Sequence, residues 1–319
     1  MPKLSRLRDW TLLLGCNLIW ASQFVMVKLV QAQMGPVFAT FLPISLATLL
    51  LIPIVRRERQ RGPAGGRSRL PGRDILEFIL IGALGQVVAQ LFITWGVRLS
   101  NASNAGLLML TLPISTAVMA RIFLGERMTN LRWASFALAL VGVLQCSGIN
   151  WEELKFASSG FLLGTLMNFL SVNGSAFYNT YSKKLLVRYS PLQVLLYSYY
   201  AVVAVLLPVT LRVEPQGFHN VLNFDLPVWL GLAILALFQY FLSMVIFLNV
   251  LTRLDATQAG LSNYMIPFFG VLLAAVYGER LTKSMVAGGI LVLVSTLMVT
   301  VYEERQRGRA PSSLRATGK

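Results

Sequence analysis

Ten stretches of this chain are each apolar over roughly the 20 residues that a helix needs to cross a bilayer, and they leave little sequence between them. They run over residues 10–30, 36–55, 75–97, 102–124, 131–148, 160–181, 191–211, 226–251, 256–278 and 284–302. Lipid offers no water to backbone N–H and C=O groups, so a spanning segment must be a helix or part of a closed barrel. The runs are continuously apolar and longer than the roughly 10-residue strands of membrane barrels. An all-α integral membrane protein of ten transmembrane helices is therefore expected. Composition agrees: 55% of the 319 residues are hydrophobic and 13% charged, where soluble domains carry about a quarter charged residues.

The net charge is +15. Such a balance fits a nucleic-acid binder in general, but here the charges sit in short runs between apolar spans, and no nucleic-acid partner is expected. Threading ten spans from a cytoplasmic N-terminus puts 21 of the 28 Lys and Arg on that side and 5 on the other, as the positive-inside rule requires. Both termini are then cytoplasmic, with a mobile Arg-rich loop over 56–73 and a disordered tail over 303–319. The Arg-rich loops fit a bacterial inner, that is plasma, membrane.

Cys16 and Cys146 each lie within a span, and His219, the single histidine, lies in a polar loop. No disulfide, metal site or cofactor is expected from them. No phosphate-binding loop is present, and no Asp or Glu lies deep in a span, Glu77 at the start of the third being the nearest. A membrane-embedded enzyme needs a cluster of such groups at membrane depth, so the chain is not expected to be an enzyme. Nothing supports proton coupling.

The chain also repeats itself. Asn101-Ala102-Ser103-Asn104-Ala105-Gly106-Leu107 matches Asp255-Ala256-Thr257-Gln258-Ala259-Gly260-Leu261, 154 residues on, and the same offset carries Pro113 to Pro267. One residue out of that register, Gly125-Glu126-Arg127-Met128-Thr129 matches Gly278-Glu279-Arg280-Leu281-Thr282. Residues 1–150 and 151–302 thus form two five-helix halves, and an odd number of spans gives them opposite orientations. Inverted repeats suit alternating access around a site near the midplane.

Trp20-Ala21-Ser22-x-Phe24 with Lys28, together with the Ala-Gly-Leu…Pro…Gly-Glu-Arg-x-Thr pattern of both halves, resembles the EamA-like transporters of the drug/metabolite transporter superfamily over roughly residues 10–302. The resemblance implies ten helices, a central cavity lined by both halves, and transport of amino acids, other metabolites or drugs, more often outward. The sixth span departs from it, with Gly174-Ser175-x-Phe177 and no tryptophan where the first span has Trp20.

Polar side chains within spans avoid lipid and face the bundle interior, so the substrate-cavity candidates are Trp20, Ser22, Gln23, Lys28, Gln86, Gln90, Trp95, Asn173, Tyr178, Asn179, Gln239, Tyr240, Ser243, Asn263 and Tyr264. Gln86 with Gln90, and Gln239 with Ser243, share a helical face at i,i+4 spacing. Lys28 either binds an anionic solute group or snorkels to the interface. Pro113 and Pro267 are expected to kink their helices. Gly125 and Gly278 end one helix and Thr129 and Thr282 cap the next. The expected function is a secondary transporter, an exporter or facilitator, with a small-molecule solute and the bilayer as partners. A non-transporting membrane sensor or scaffold is the alternative, and the sequence leaves room for a homodimer.

Overall fold

The computed structural model describes residues 2–61, 70–100, 111–126, 129–146 and 159–266, with isolated positions between 105 and 109 and between 269 and 298. The described residues form helices joined by turns, with no strand among them. The helices are α1 (Pro2–Val30), α2 (Pro36–Arg61), α3 (Gly72–Leu99), α4 (Leu112–Leu124), α5 (Asn130–Cys146), α6 (Ser159–Leu185), α7 (Pro191–Val213), α8 (Leu226–Leu251) and α9 (Ala256–Ser262), with short helical turns over Gln216–Asn220 and Val221–Asn223 between α7 and α8. Within these residues α1, α2, α3, α7 and α8 are long and apolar enough to cross a membrane. Helix α6 is as long, but Asn168, Ser171, Asn173 and Asn179 lower its hydropathy.

Burial follows the logic of a lipid solvent. Leu49, Ile122 and Leu226 stand 63%, 69% and 72% exposed, while Asn17, Asn168, Ser171, Thr210 and Ser243 are fully buried. Apolar side chains outside and hydrogen-bonding ones inside is the arrangement that hydrocarbon permits.

Helices before residue 150 pack in pairs on helices after it: α3 on α6, α2 on α7, α1 on α8 and α4 on α9. The α3–α6 contact is made by small residues. A Cβ on Gly174 would lie 2.9 Å from the Ala89 N and 3.0 Å from the Gly85 O, and one on Gly164 would lie 2.9 Å from the Gly96 O. Such close backbone approach gains dispersion energy where lipid supplies no hydrophobic drive. Ser171 Oγ adds a hydrogen bond to the Ala89 carbonyl.

Two spans contain wide turns. Residues Ile81–Val87 of α3 and Leu235–Leu242 of α8 are π-helical, a form that occurs mostly as short bulges and often at functional sites. Two others are interrupted. The fourth expected span turns at Thr111, so α4 starts at Leu112 with Pro113 in its first turn. The ninth tightens into a turn at Asn263–Tyr264, whose N–H groups donate to the Gly260 and Leu261 carbonyls, three residues back. Pro113 therefore lies two residues after the Thr111 turn, in the first turn of α4. Pro267, Gly278, Thr282 and most of the tenth span lie outside the described residues.

The Gly-Glu-Arg-x-Thr turn of the first half forms as its sequence dictates. Gly125 takes a left-handed conformation at φ 68°, and the Thr129 hydroxyl accepts from the Arg132 N–H at 3.3 Å.

Ion pairs gather at the end of the bundle that holds this turn. Glu126 accepts from the Ala256 N–H (2.8 Å), the Thr257 N–H (3.1 Å) and the Thr257 hydroxyl (2.6 Å), and Lys183 lies 3.5 Å from it. Arg132 reaches Asp255 at 3.4 Å, and Arg253 reaches Asp9 at 2.7 Å. Arg188 clamps Asp74 and Glu77, and Tyr189 donates to Asp74. At the opposite end Glu214 accepts from the Val37 and Phe38 N–H groups, at 3.2 and 2.8 Å, across the start of α2.

Partial burial lowers the tendency of Arg188 to stay charged, but the Glu77 and Asp74 carboxylates outweigh it, so its pKa moves up. Burial, then the Asp74 hydrogen bond and charge, push the Tyr189 phenol up to about 12. A raised pKa stabilises the fold in full below the unfolded value of about 10 and loses that contribution as pH rises through about 12. Tyr189→Phe is therefore expected to lower stability by about 1 kcal/mol near neutral pH, a deficit that closes between pH 10 and 12. Denaturation midpoints of both proteins against pH check this, and a constant difference across that window would refute it.

Candidate functional site

A cavity of about 60 Å³ lies where α1, α3, α6 and α8 meet the two helix interruptions. That is room for on the order of five waters. Among the described residues, none that line it is Asp, Glu, Lys, Arg or His.

One wall is a chain of carboxamides. Gln239 of α8 donates from Nε2 to Gln23 Oε1 of α1 at 2.8 Å. Gln23 donates to Gln90 Oε1 of α3 at 3.0 Å, and Gln90 donates to Gln86 Oε1 at 3.5 Å. Each amide can donate and accept at once, so four glutamines link three helices without a charge. The π-helical turns carry both ends of the chain, Gln86 within Ile81–Val87 and Gln239 within Leu235–Leu242.

Trp20 stands beside them. Its indole N–H donates to Ser243 Oγ at 2.9 Å, and its ring packs on Phe247 with centroids 5.2 Å apart. With the N–H satisfied, the indole offers the cavity an apolar surface. Tyr178 and Asn179 line the wall from α6, where Tyr178 is 3.4 Å from the Ser198 hydroxyl. Asn263 lines it from the break after α9.

Eight of the fifteen candidate residues thus meet at one cavity: Trp20, Gln23, Gln86, Gln90, Tyr178, Asn179, Gln239 and Asn263. The others lie elsewhere. Ser243 sits behind the wall holding the Trp20 indole and donates to the Gln239 carbonyl, so of that i,i+4 pair only Gln239 reaches the cavity. Tyr240 and Tyr264 are buried outside the lining, and the Tyr264 hydroxyl has no partner among the described residues. Ser22 bonds the Ile19 carbonyl and Asn173 the Phe169 carbonyl of their own helices. Trp95 packs against the apolar core. Lys28 is exposed, on the face of α1 that also exposes Val25 and Leu29, so it is no part of this cavity, and its stem lies along the apolar exterior. Sequence reasoning missed the apolar lining from Met109, Leu112, Met244 and Ile266. Their only signal was proximity to the prolines and glutamines.

The cavity at the helix interruptions thus presents carboxamide donors and acceptors beside apolar side chains, with no charged group among its described lining residues. The EamA-like transporter family model matches residues 10–147 and 162–301. The chain belongs to that family. As a member of this membrane-transporter family with apolar spanning helices, it is an integral membrane protein. A relative in Streptantibioticus cattleyicolor, named a probable terminal-alkyne amino-acid exporter, is 26% identical over 91% of this chain and 92% of its own length. One in Salmonella typhimurium, named a probable amino-acid metabolite efflux pump, is 25% identical over 95% of this chain and 98% of its own. One in Rickettsia felis, named an S-adenosylmethionine uptake transporter, is 23% identical over 69% of this chain and 70% of its own. A solved crystal structure covers 92% of this chain and 99% of its own with a TM-score of 0.74 at 16% identity, a likeness of fold.

Proposed function

We propose that this protein is a secondary transporter of small metabolites that works by alternating access between two inverted five-helix halves in a plasma membrane. The observation that carries the reading is the placement of the cavity at two breaks related by the repeat. Met109 and Leu112 before Pro113, and Asn263 and Ile266 before Pro267, stand 154 residues apart pair by pair, and all four line it. Interrupted helices at a repeat interface are how many carriers build a midplane site.

Other features favour the same symmetry. The π-helical turns start at Ile81 and Leu235, again 154 apart. Helices α2 and α7 start at Pro36 and Pro191 and carry Pro53 and Pro208, each pair 155 apart. Glu58 near the end of α2 accepts from Ser190 at the start of α7 at 2.8 Å, as Glu214 beyond the end of α7 accepts at the start of α2. Each half thus places a carboxylate at a helix N-terminus of the other, where the helix dipole favours negative charge. The small volume of the cavity fits a contracted state. The halves must part to admit a metabolite.

Counterflow in proteoliposomes tests the reading, with radiolabelled amino acids, purine metabolites and hydrophilic drugs. Exchange of any member, competed by unlabelled solute, is expected. Its absence across the panel, with folded protein, would favour a sensor or scaffold. Lys28→Ala is expected to keep wild-type flux, because Lys28 lies outside the cavity; a loss of more than about tenfold would return it to the solute path.

A further inference from the structure

The two helix breaks present the cavity with opposite chemistry at equivalent positions. Met109 offers a thioether where Asn263 offers a carboxamide. Asn263 is 3% exposed, and neither Nδ2 nor Oδ1 has a partner among the described residues. Gln23 and Gln90 are engaged by neighbouring glutamines at both amide atoms, and Gln239 Oε1 is also without a partner among the described residues. A buried amide with nothing to bond is unfavourable, and a ligand that brings both a donor and an acceptor relieves it.

We propose that Asn263 is the specificity-determining residue of this cavity and reads an uncharged donor–acceptor edge of the solute, such as a carboxamide, lactam or nucleobase edge. Met109 and Leu112 take the apolar part. The assignment rests on the transporter reading of the cavity and deepens it.

Three facts fix the class. No charged side chain lines the cavity among the described residues, so an anionic or cationic head would be desolvated there with no counter-charge from them. Asn263 holds a free donor and a free acceptor side by side, the pair that lets an asparagine grip an adenine edge through two hydrogen bonds. The Trp20 N–H is taken by Ser243, which leaves the indole to contact an aromatic or aliphatic body.

Nicotinamide, nicotinate and methyl nicotinate share a ring and differ in this edge. Nicotinamide has the amide donor and acceptor, nicotinate has a charge, and methyl nicotinate has no donor. Binding of each to the full-length purified protein is read by equilibrium dialysis. The wild type is expected to prefer nicotinamide by about tenfold or more over both others, the loss of one or two hydrogen bonds. Asn263→Leu, close in size, is expected to bind all three alike. The double exchange Met109→Asn with Asn263→Met is expected to restore the preference from the opposite break. Equal binding of the three by the wild type, no binding of nicotinamide, or an unchanged preference in Asn263→Leu would each overturn the assignment. Asn263→Leu should melt no lower than the wild type, since it removes an unpartnered buried amide, so a folding failure is separable. The dialysis involves no flux: preference without counterflow removes the transporter reading alone, and counterflow without preference removes this assignment alone.

Discussion

Glu126→Leu is expected to destabilise the folded protein by about 3–5 kcal/mol, the usual result of removing one partner from a buried charge pair. The carboxylate accepts from two backbone N–H groups and a hydroxyl at the start of α9, and Lys183 stands 3.5 Å away. The Glu126 side chain is 11% exposed and that of Lys183 23%, so water replaces these bonds poorly. Hydrogen bonds to a charged group contribute about 1.5–3 kcal/mol each, and the sum is not additive because the three donors share one carboxylate. Glu126→Gln keeps the shape and one acceptor and should lose about half as much. Lys183 also donates to the Leu254 carbonyl at 2.7 Å and approaches Asp255, so it keeps partners and limits the damage. Chemical unfolding in detergent measures both variants. A Glu126→Leu protein within about 1 kcal/mol of the wild type would show that the contact is dispensable.

That glutamate marks the boundary of what the sequence could say. Gly125 and Thr129 were legible because their roles are local: a left-handed end and a hydroxyl cap depend on a few neighbouring residues. The partner of Glu126 was not, because it lies 130 residues away on a helix of the other half. The same division runs through the cavity. Gln86 and Gln90 share a face at i,i+4 spacing, and they do line it together. Gln239 and Ser243 have the same spacing, yet Ser243 turns to the Trp20 indole, and Gln239 sits in a π-helical turn that spacing cannot reveal. For Lys28 both solute binding and snorkelling stayed open, because hydropathy measures a span and not its rotation. Once α1 packs on α8, the face with Val25, Lys28 and Leu29 is left outside. The eighth span matched its expected ends, and α2, α6 and α7 ran on past theirs, since a helix continues beyond lipid until a turn or proline stops it.

Gly174→Leu is expected to have the largest effect of all, loss of the folded monodisperse protein. The position is where the sixth span departs from the first, with glycine where the first carries Ala21. The reason is the neighbour. A Cβ at Gly174 would stand 2.9 Å from the Ala89 N and 3.0 Å from the Gly85 O, and backbone cannot rotate aside as a side chain can. Even Gly174→Ala must push α6 off α3 by a few tenths of an ångström, which should destabilise by about 1–3 kcal/mol. A leucine adds three further carbons where two backbones already touch, and separation breaks the Ser171 bond to the Ala89 carbonyl. It also opens the cavity, because Gln86 and Gln90 come from α3 while Tyr178 and Asn179 come from α6. Size-exclusion profiles and thermal melts of both variants test the contact. A Gly174→Leu protein that elutes and melts like the wild type would mean that α3 and α6 do not approach this closely. In Gly174→Ala, flux should fall more than stability does, since a small displacement of α6 shifts half of the solute-facing wall while most of the bundle stays packed.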